Sequence, residues 1–160
     1  MSYYTGVGSR ETPTEILTLM GAIAHKMAHL GFTLRSGGAK GADTAFERGA
    51  SFRKEIFYAK DCTPDAMAIA QRFHPAWHRC PEFARKLHGR NAFQVLGPNL
   101  NEPSSYCICW TQDGCVSHAT RSIHTGGTGT AISIADHYKV PIVNLARPEH
   151  YEVWAKWARS

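Results

Sequence analysis

One pattern constrains this chain more than any other. Three times, a predicted strand runs into a glycine-rich turn that opens a predicted helix. The turns are Gly6-Val7-Gly8-Ser9-Arg10, Ser36-Gly37-Gly38-Ala39-Lys40-Gly41-Ala42-Asp43 and Thr125-Gly126-Gly127-Thr128-Gly129-Thr130. They hold eight of the 14 glycines in 160 residues. Glycine at such turns allows positive φ and close approach of a ligand to the backbone. The unpaired N–H groups at a helix start attract anions such as phosphate.

The surrounding periodicity gives the fold class. Tyr3 to Val7 reads as a first strand, and Thr12 or Thr14 as the cap of a helix with Pro13 in its first turn. Ile16, Leu17, Met20, Ile23, Ala24, Met27 and Leu30 recur at helical spacing, and Gly31 ends the run. Strands are expected at Phe32–Ser36, Lys54–Tyr58, Ser105–Trp110 and Val140–Asn144. Helices are expected at Ala42–Gly49, Pro64–Phe73, Glu82–Val95, from Gly126 to about Tyr138, and Glu149–Ala158. A polar loop spans Thr111–Thr125. Alternating strands and helices with short connections predict an α/β, Rossmann-like, doubly wound domain. Its sheet is mainly parallel, with helices on both faces, and residues 1–160 form one domain.

Composition narrows the function classes. The formal charge is +5, from 18 Lys+Arg against 13 Asp+Glu, which suits an anionic ligand or partner. No block of Lys and Arg forms a basic tail, and no apolar run is long enough for an ordinary membrane-spanning helix. The first residues lack the charged and apolar regions of a secretory signal. Together with an odd count of five cysteines, this points to reduced thiols and a cytoplasmic location.

The glycine turns are not the commonest phosphate motifs. None ends in Gly-Lys-Ser/Thr, and none has the full Gly-x-Gly-x-x-Gly spacing, which disfavours a standard NAD(P) dehydrogenase. In combination with Arg90-Asn91, the three turns resemble the SLOG superfamily, which unites the DNA-processing protein A (Smf) proteins and the Lonely Guy nucleotide phosphoribohydrolases. The resemblance is to the YspA/YpsA-related branch, with its Gly-Ser-Arg turn, its Ser-Gly-Gly-Ala-x-Gly-Ala-Asp turn and an Arg-Asn pair on a later helix. It covers most of the chain, although Cys62 to Leu87 matches none of the motifs. It implies the Rossmann-like fold, a nucleotide-type ligand and frequent dimerisation. Ser133 stands where Lonely Guy enzymes resemble one another in a catalytic Glu.

The turns supply most of the candidate ligand contacts. Arg10 can form a fork on phosphate or pair with Glu11 or Glu15. Lys40 can do the same or sit at a solvated tip. Gly8, Ser9, Ser36, Gly37, Gly38, Gly126, Gly127 and Gly129 frame the phosphate site, and Thr125, Thr128 and Thr130 can add hydroxyl donors. The resemblance adds Arg90 and Asn91. Trp110 ends a strand near the expected ligand edge, where it can stack a base. The catalytic candidates are Asp43 and Glu47, four apart on one helix face, and Asp113 in the loop after a buried strand. Asp43 can also simply cap its helix.

His74, His78 and Cys80 form His-x-x-x-His-x-Cys, with Cys62 upstream. Pro75 interrupts the helical spacing that would put two histidines on one face, and no Cys-x-x-Cys pair is present. No metal and no cofactor are therefore expected. Cys107 and Cys109 read as small core residues. Binding of a nucleotide or nucleotide-derived ligand is the leading expectation. N-glycosidic hydrolysis of a nucleoside monophosphate or nucleotide sugar, binding of single-stranded DNA, and sensing or sequestering of a nucleotide signal are the alternatives. A homodimer or higher homo-oligomer is compatible with the sequence.

Overall fold

Five short strands alternate with six helices in the structure, a computed structural model that describes residues 2–160. The strands are β1 (Ser2–Gly6), β2 (Phe32–Ser36), β3 (Lys54–Ile56), β4 (Cys107–Cys109) and β5 (Ile142–Asn144). The helices are α1 (Thr14–His29), α2 (Ala42–Ala50), α3 (Pro64–Gln71), α4 (Glu82–Leu96), α5 (Thr128–His137) and α6 (Pro148–Arg159). All pairings are parallel and the strand order is β3-β2-β1-β4-β5. This is the expected α/β, Rossmann-like sheet. Among the described residues, no helix is long and apolar enough to cross a membrane.

Strand alternation divides the core in two. Tyr4, Leu34, Ile108 and Val143 pack with Leu19, Met20, Ile23 and Phe46, joining α1, α2 and α6 on one face. Cys107 and Cys109 pack with Ala92, Val95, Leu96 and Ile132 on the face of α4 and α5. Both cysteines are fully buried and free, as small core residues.

Several boundaries differ from the sequence expectation. The third strand stops at Ile56, because Ala59–Asp61 turns into a single 3-10 turn. The fourth shrinks to three residues, although ladder-like bonds from Thr5 N–H to the Tyr106 carbonyl and Ser9 N–H to the Trp110 carbonyl continue on both sides. The helix expected from Gly126 begins at Thr128. Neither Thr12 nor Thr14 caps α1. The cap position is Pro13, and the Thr12 hydroxyl donates to the Ser9 carbonyl instead.

A buried arginine clamps the connection between α4 and β4. Arg35, on the α4 side of β2, is 0% exposed. Its Nη1 donates to the Glu102 carbonyl (2.6 Å) and the Ser104 hydroxyl (3.1 Å). The guanidinium lies 4.0 Å from the centre of the Tyr3 ring. Burial pulls its pKa down, against the raising effect of Glu102 and Glu55. Arg35→Ala leaves a cavity and strands those acceptors, so a loss of about 3 kcal/mol is expected. A urea titration with an unchanged midpoint would show that the clamp contributes nothing.

Candidate functional site

The order of the strands decides where a ligand can sit. From β1 the chain moves outward through β2 and β3 on one side, and later through β4 and β5 on the other. The loops leaving β1 and β4 therefore diverge, which opens a crevice at their carboxyl ends. A cavity of about 530 Å³ occupies this crevice. Its walls come from Val7–Glu11 after β1, from Ala39, Lys40 and Asp43 around the start of α2, from Ile123–Thr128 leading into α5, and from one side of α4. A second cavity of about 510 Å³, lined by residues such as Phe57, Asp65 and Leu100, includes none of the three glycine turns.

The turns are shaped by what lies against them. Arg90 rests on Gly37: a Cβ there would stand 2.9 Å from the guanidinium carbon and from Nε, so any larger residue displaces the guanidinium from the turn. Arg90 Nη1 donates to the Gly37 carbonyl at 3.1 Å, which ties α4 to the turn after β2. Gly126 has φ +67°, a conformation L side chains rarely adopt, and it faces open space. Thr125 is buried beneath it, and Thr128 begins α5. Gly126, Gly127 and Thr128, at the start of a 10-residue helix, thus line the cavity, while the Gly129 N–H is taken up by the Gly126 carbonyl (3.0 Å).

Charge in the cavity is concentrated and of mixed sign. Arg10, Lys40 and Arg90 line it together with Asp43. Asp43 is 4% exposed and accepts the Ala39 N–H at 3.1 Å. Its carboxylate therefore holds the glycine turn. Burial pushes its pKa up to about 6, against the lowering effect of the Ala39 N–H, the Arg90 cation and the Gly37 N–H; Glu47 adds to the rise. Burial pulls the Arg90 pKa down, with Asp43 opposing and Arg10 assisting. The result is a buried carboxyl that titrates near pH 6 beside the Arg90 guanidinium, within a polar cavity.

The expected site residues divide into two groups. Gly8, Ser9, Arg10, Lys40, Asp43, Arg90, Asn91, Thr125, Gly126, Gly127 and Thr128 line the cavity. Ser36, Gly37, Gly38, Trp110, Gly129, Thr130, Glu47 and Asp113 are not in its lining. Trp110 packs instead against the α1–α2–α6 core. Glu47 pairs with Lys54 at 3.0 Å. Thr130 is buried and meets His88 Nδ1 (3.0 Å) and Arg121 Nη2 (3.2 Å).

Asp113 organises the loop it sits in. It accepts the hydroxyls of Thr111 (2.8 Å), Ser122 (2.7 Å) and Thr125 (2.5 Å), and the Cys115 N–H (3.2 Å). Burial raises its pKa, but the hydroxyls of Thr125, Ser122 and Thr111 outweigh that and hold it below the usual carboxylate range. Ser133, at the position of the Lonely Guy glutamate, is fully buried and bonded to His118 Nδ1 (2.7 Å) and Arg121 Nη1 (3.3 Å). No carboxylate stands there.

With this geometry in hand, comparison with known proteins tests the fold. The chain resembles DNA-processing protein A from Helicobacter pylori in fold. That protein's structure was solved for its single-stranded DNA binding mode. The TM-score is 0.55 at 16% identity, and the match covers 89% of this chain. The chain spans 64% of the length of that structure. No protein-family model matches the sequence, and no curated protein matches it. The likeness supports a DNA-processing-protein-A-like Rossmann architecture.

Two lining residues of α4 lack any motif in the sequence. Gln94 is 1% exposed, and its Oε1 is buried without a protein partner. His88 lines the cavity six residues before it on the same helix. Burial, then the charges of His74, Arg121 and Arg90, lower the His88 pKa to about 4. Burial and Arg121 lower that of His74 as well. His88 also brings together what the sequence left apart: His74 and Cys80 meet it, while His78 is exposed outside the group.

Proposed function

We propose that the chain is a single SLOG-type domain, of the YspA/YpsA-related kind, whose switch-point cavity binds the phosphate of a nucleotide or nucleotide-derived ligand. One observation carries this reading. Gly126–Thr128 at the start of α5 and the residues Arg10 and Arg90 line the same cavity, which places helix-start backbone and two guanidiniums around a space that suits a phosphate. Asp43 then lies where it can accept a ribose hydroxyl. The exposed Ile123 at the rim offers an apolar contact for the base. Five free thiols suit a reducing compartment.

Calorimetric titration with AMP, ADP-ribose and cyclic nucleotides tests it. Saturable binding of at least one, competed by inorganic phosphate, is the expected result. Absence of binding by all of them to the folded protein would sink the proposal.

N-glycosidic hydrolysis is a second reading, favoured by the raised pKa of Asp43, a carboxylate poised near neutral pH. In that reaction Asp43 accepts a proton from water as the water oxygen bonds to the anomeric carbon, the C–N bond breaks with its electron pair going to the base, and the proton taken up by Asp43 passes to the departing base directly or through water. Glu47 and Asp113 are less suited, since neither lines the cavity. Release of free base from a nucleoside monophosphate is the readout.

Single-stranded DNA binding is a third reading, favoured by the fold likeness. Salt separates it from a one-phosphate site. A single-strand interface touching six or more phosphates loses about 300-fold or more in affinity between about 50 and 200 mM salt. Measured by fluorescence anisotropy with an oligonucleotide, a shallow slope or no binding would dismiss the DNA reading.

A further inference from the structure

We propose that His74, Cys80 and His88 form a binding site for one zinc-class transition-metal ion. The three residues come from separate segments. His74 follows α3, Cys80 follows the single 3-10 turn Trp77–Arg79, and His88 sits on α4. Their ligand atoms all lie within 4.8 Å of one another. Cys80 Sγ is 3.7 Å from His74 Nε2, and the His74 and His88 rings stand 4.4 Å apart at 66°.

These distances are close to what coordination needs. Zinc–nitrogen bonds of about 2.0–2.1 Å and a zinc–sulfur bond of about 2.3 Å, set at tetrahedral angles, separate the donors by about 3.3–3.6 Å. The Cys80–His74 edge already stands near that separation at 3.7 Å, and the other edges, none longer than 4.8 Å, close by up to about 1.5 Å through side-chain rotation when the ion binds.

The chemistry of the donors selects the ion. Two imidazoles and one thiol suit zinc and its soft neighbours, and the absence of a carboxylate from the group makes it a poor site for calcium or magnesium. The second shell is in place at His88, where Nδ1 meets the Thr130 hydroxyl at 3.0 Å. With Nδ1–H donating to that oxygen, the Nε2 lone pair is free for the ion. At His74 the Ala76 N–H donates to Nδ1 at 3.0 Å. Coordination through Nε2 moves the ring proton to Nδ1 and gives up this one hydrogen bond. Cys80 loses its thiol proton to solvent, and the thiolate offsets the nearby Arg121 cation.

Three protein ligands leave a fourth position open, as catalytic zinc sites do. His88 belongs to both the cluster and the switch-point cavity. The ion therefore sits in the cavity wall, where water or an anionic ligand completes its shell. The proposal stands whether or not the cavity takes a nucleotide.

The test uses the full chain, stripped with a chelator and titrated with Co²⁺ and Zn²⁺ alone. One ion per chain is expected, and Co²⁺ should produce a thiolate-to-metal charge-transfer band. Cys80→Ser should abolish the band and weaken Zn²⁺ binding at least about 100-fold, and His74→Gln or His88→Gln at least about 10-fold. His78→Gln should bind as the wild type does. Circular dichroism confirms that each variant is folded, and the wild-type cobalt spectrum decides the matter even where a variant is not. A wild-type protein without the band, binding that survives Cys80→Ser, or binding lost in His78→Gln would each overturn the proposal.

Discussion

Arg90→Ala is expected to weaken binding of AMP-class ligands by about 10- to 100-fold, the cost of one or two charge-assisted hydrogen bonds. Arg90 is held from below, with Nη1 on the Gly37 carbonyl and its Nε packed against the same turn. That contact fixes the plane of the guanidinium before any ligand arrives, so little side-chain entropy is lost on binding. Arg10, exposed on the opposite turn, lacks such a support and contributes less. Arg90→Lys keeps the charge but not the fork, and should fall between wild type and alanine. Two effects should appear together in Arg90→Ala: weaker binding and a further rise in the Asp43 pKa, because a cation that lowers it is gone. Calorimetry with inorganic phosphate as competitor reads the first, and the pH dependence of binding reads the second. A loss of less than about 3-fold would remove Arg90 from the phosphate site.

The fold was legible because its signals are local. The first two glycine turns sit between a short apolar run and a run at helical spacing, the third follows a polar loop before such a run, and five apolar strands alternate with helices whichever way they pack. What fell short are the ends. Phe57 and Tyr58 continue the apolar pattern of β3, yet the chain turns into Ala59–Asp61. The part of the cavity wall that comes from the turns was equally legible, since Gly8–Arg10, Lys40, Asp43 and Thr125–Thr128 follow predicted strand ends or precede predicted helices in adjacent residues. Trp110 shows a signal that was present but not used. It lies two residues after Ile108, so strand alternation places both on the α1–α2–α6 face, where both are found. Asp113 could not be resolved from sequence, because the hydroxyls that bind it are spread over 15 residues of loop. His88 and Gln94 were silent for another reason. They reach the cavity only because α4 crosses the sheet beside β1, and no spacing within the helix reports that. The same packing assembles His74, Cys80 and His88, although Pro75 spoils the helical spacing of His74 and His78.

Asp43→Asn is expected to make the protein more stable near pH 8 and to abolish any hydrolytic activity. The sign follows from where the proton sits. Burial holds the Asp43 carboxyl up at about 6 in the folded state, against about 3.9 for an ordinary aspartate. The folded state therefore holds this proton more tightly than the unfolded state. Its contribution to stability is greatest below about pH 4, falls as pH rises through about 6, and is flat above that. At neutral pH, ionising the buried carboxyl costs on the order of 3 kcal/mol, at about 1.36 kcal/mol per unit. Asparagine removes the charge and keeps an oxygen for the Ala39 N–H, so the variant gains stability at about pH 8 and little at about pH 4. A group kept ionised against its environment is the usual mark of a functional position, where activity opposes stability. If Asp43 is the base of a glycosidic hydrolysis, the wild-type rate falls as pH drops through about 6, and Asp43→Asn loses about 10²- to 10⁴-fold. If the cavity only binds, the variant shows the same gain in thermal stability while nucleotide is recovered unchanged from both proteins. A variant that melts at a lower temperature than wild type near pH 8 would contradict the raised pKa itself. Thermal melts across pH, paired with detection of free base, thus separate a strained catalytic carboxylate from a binding group with one pair of proteins.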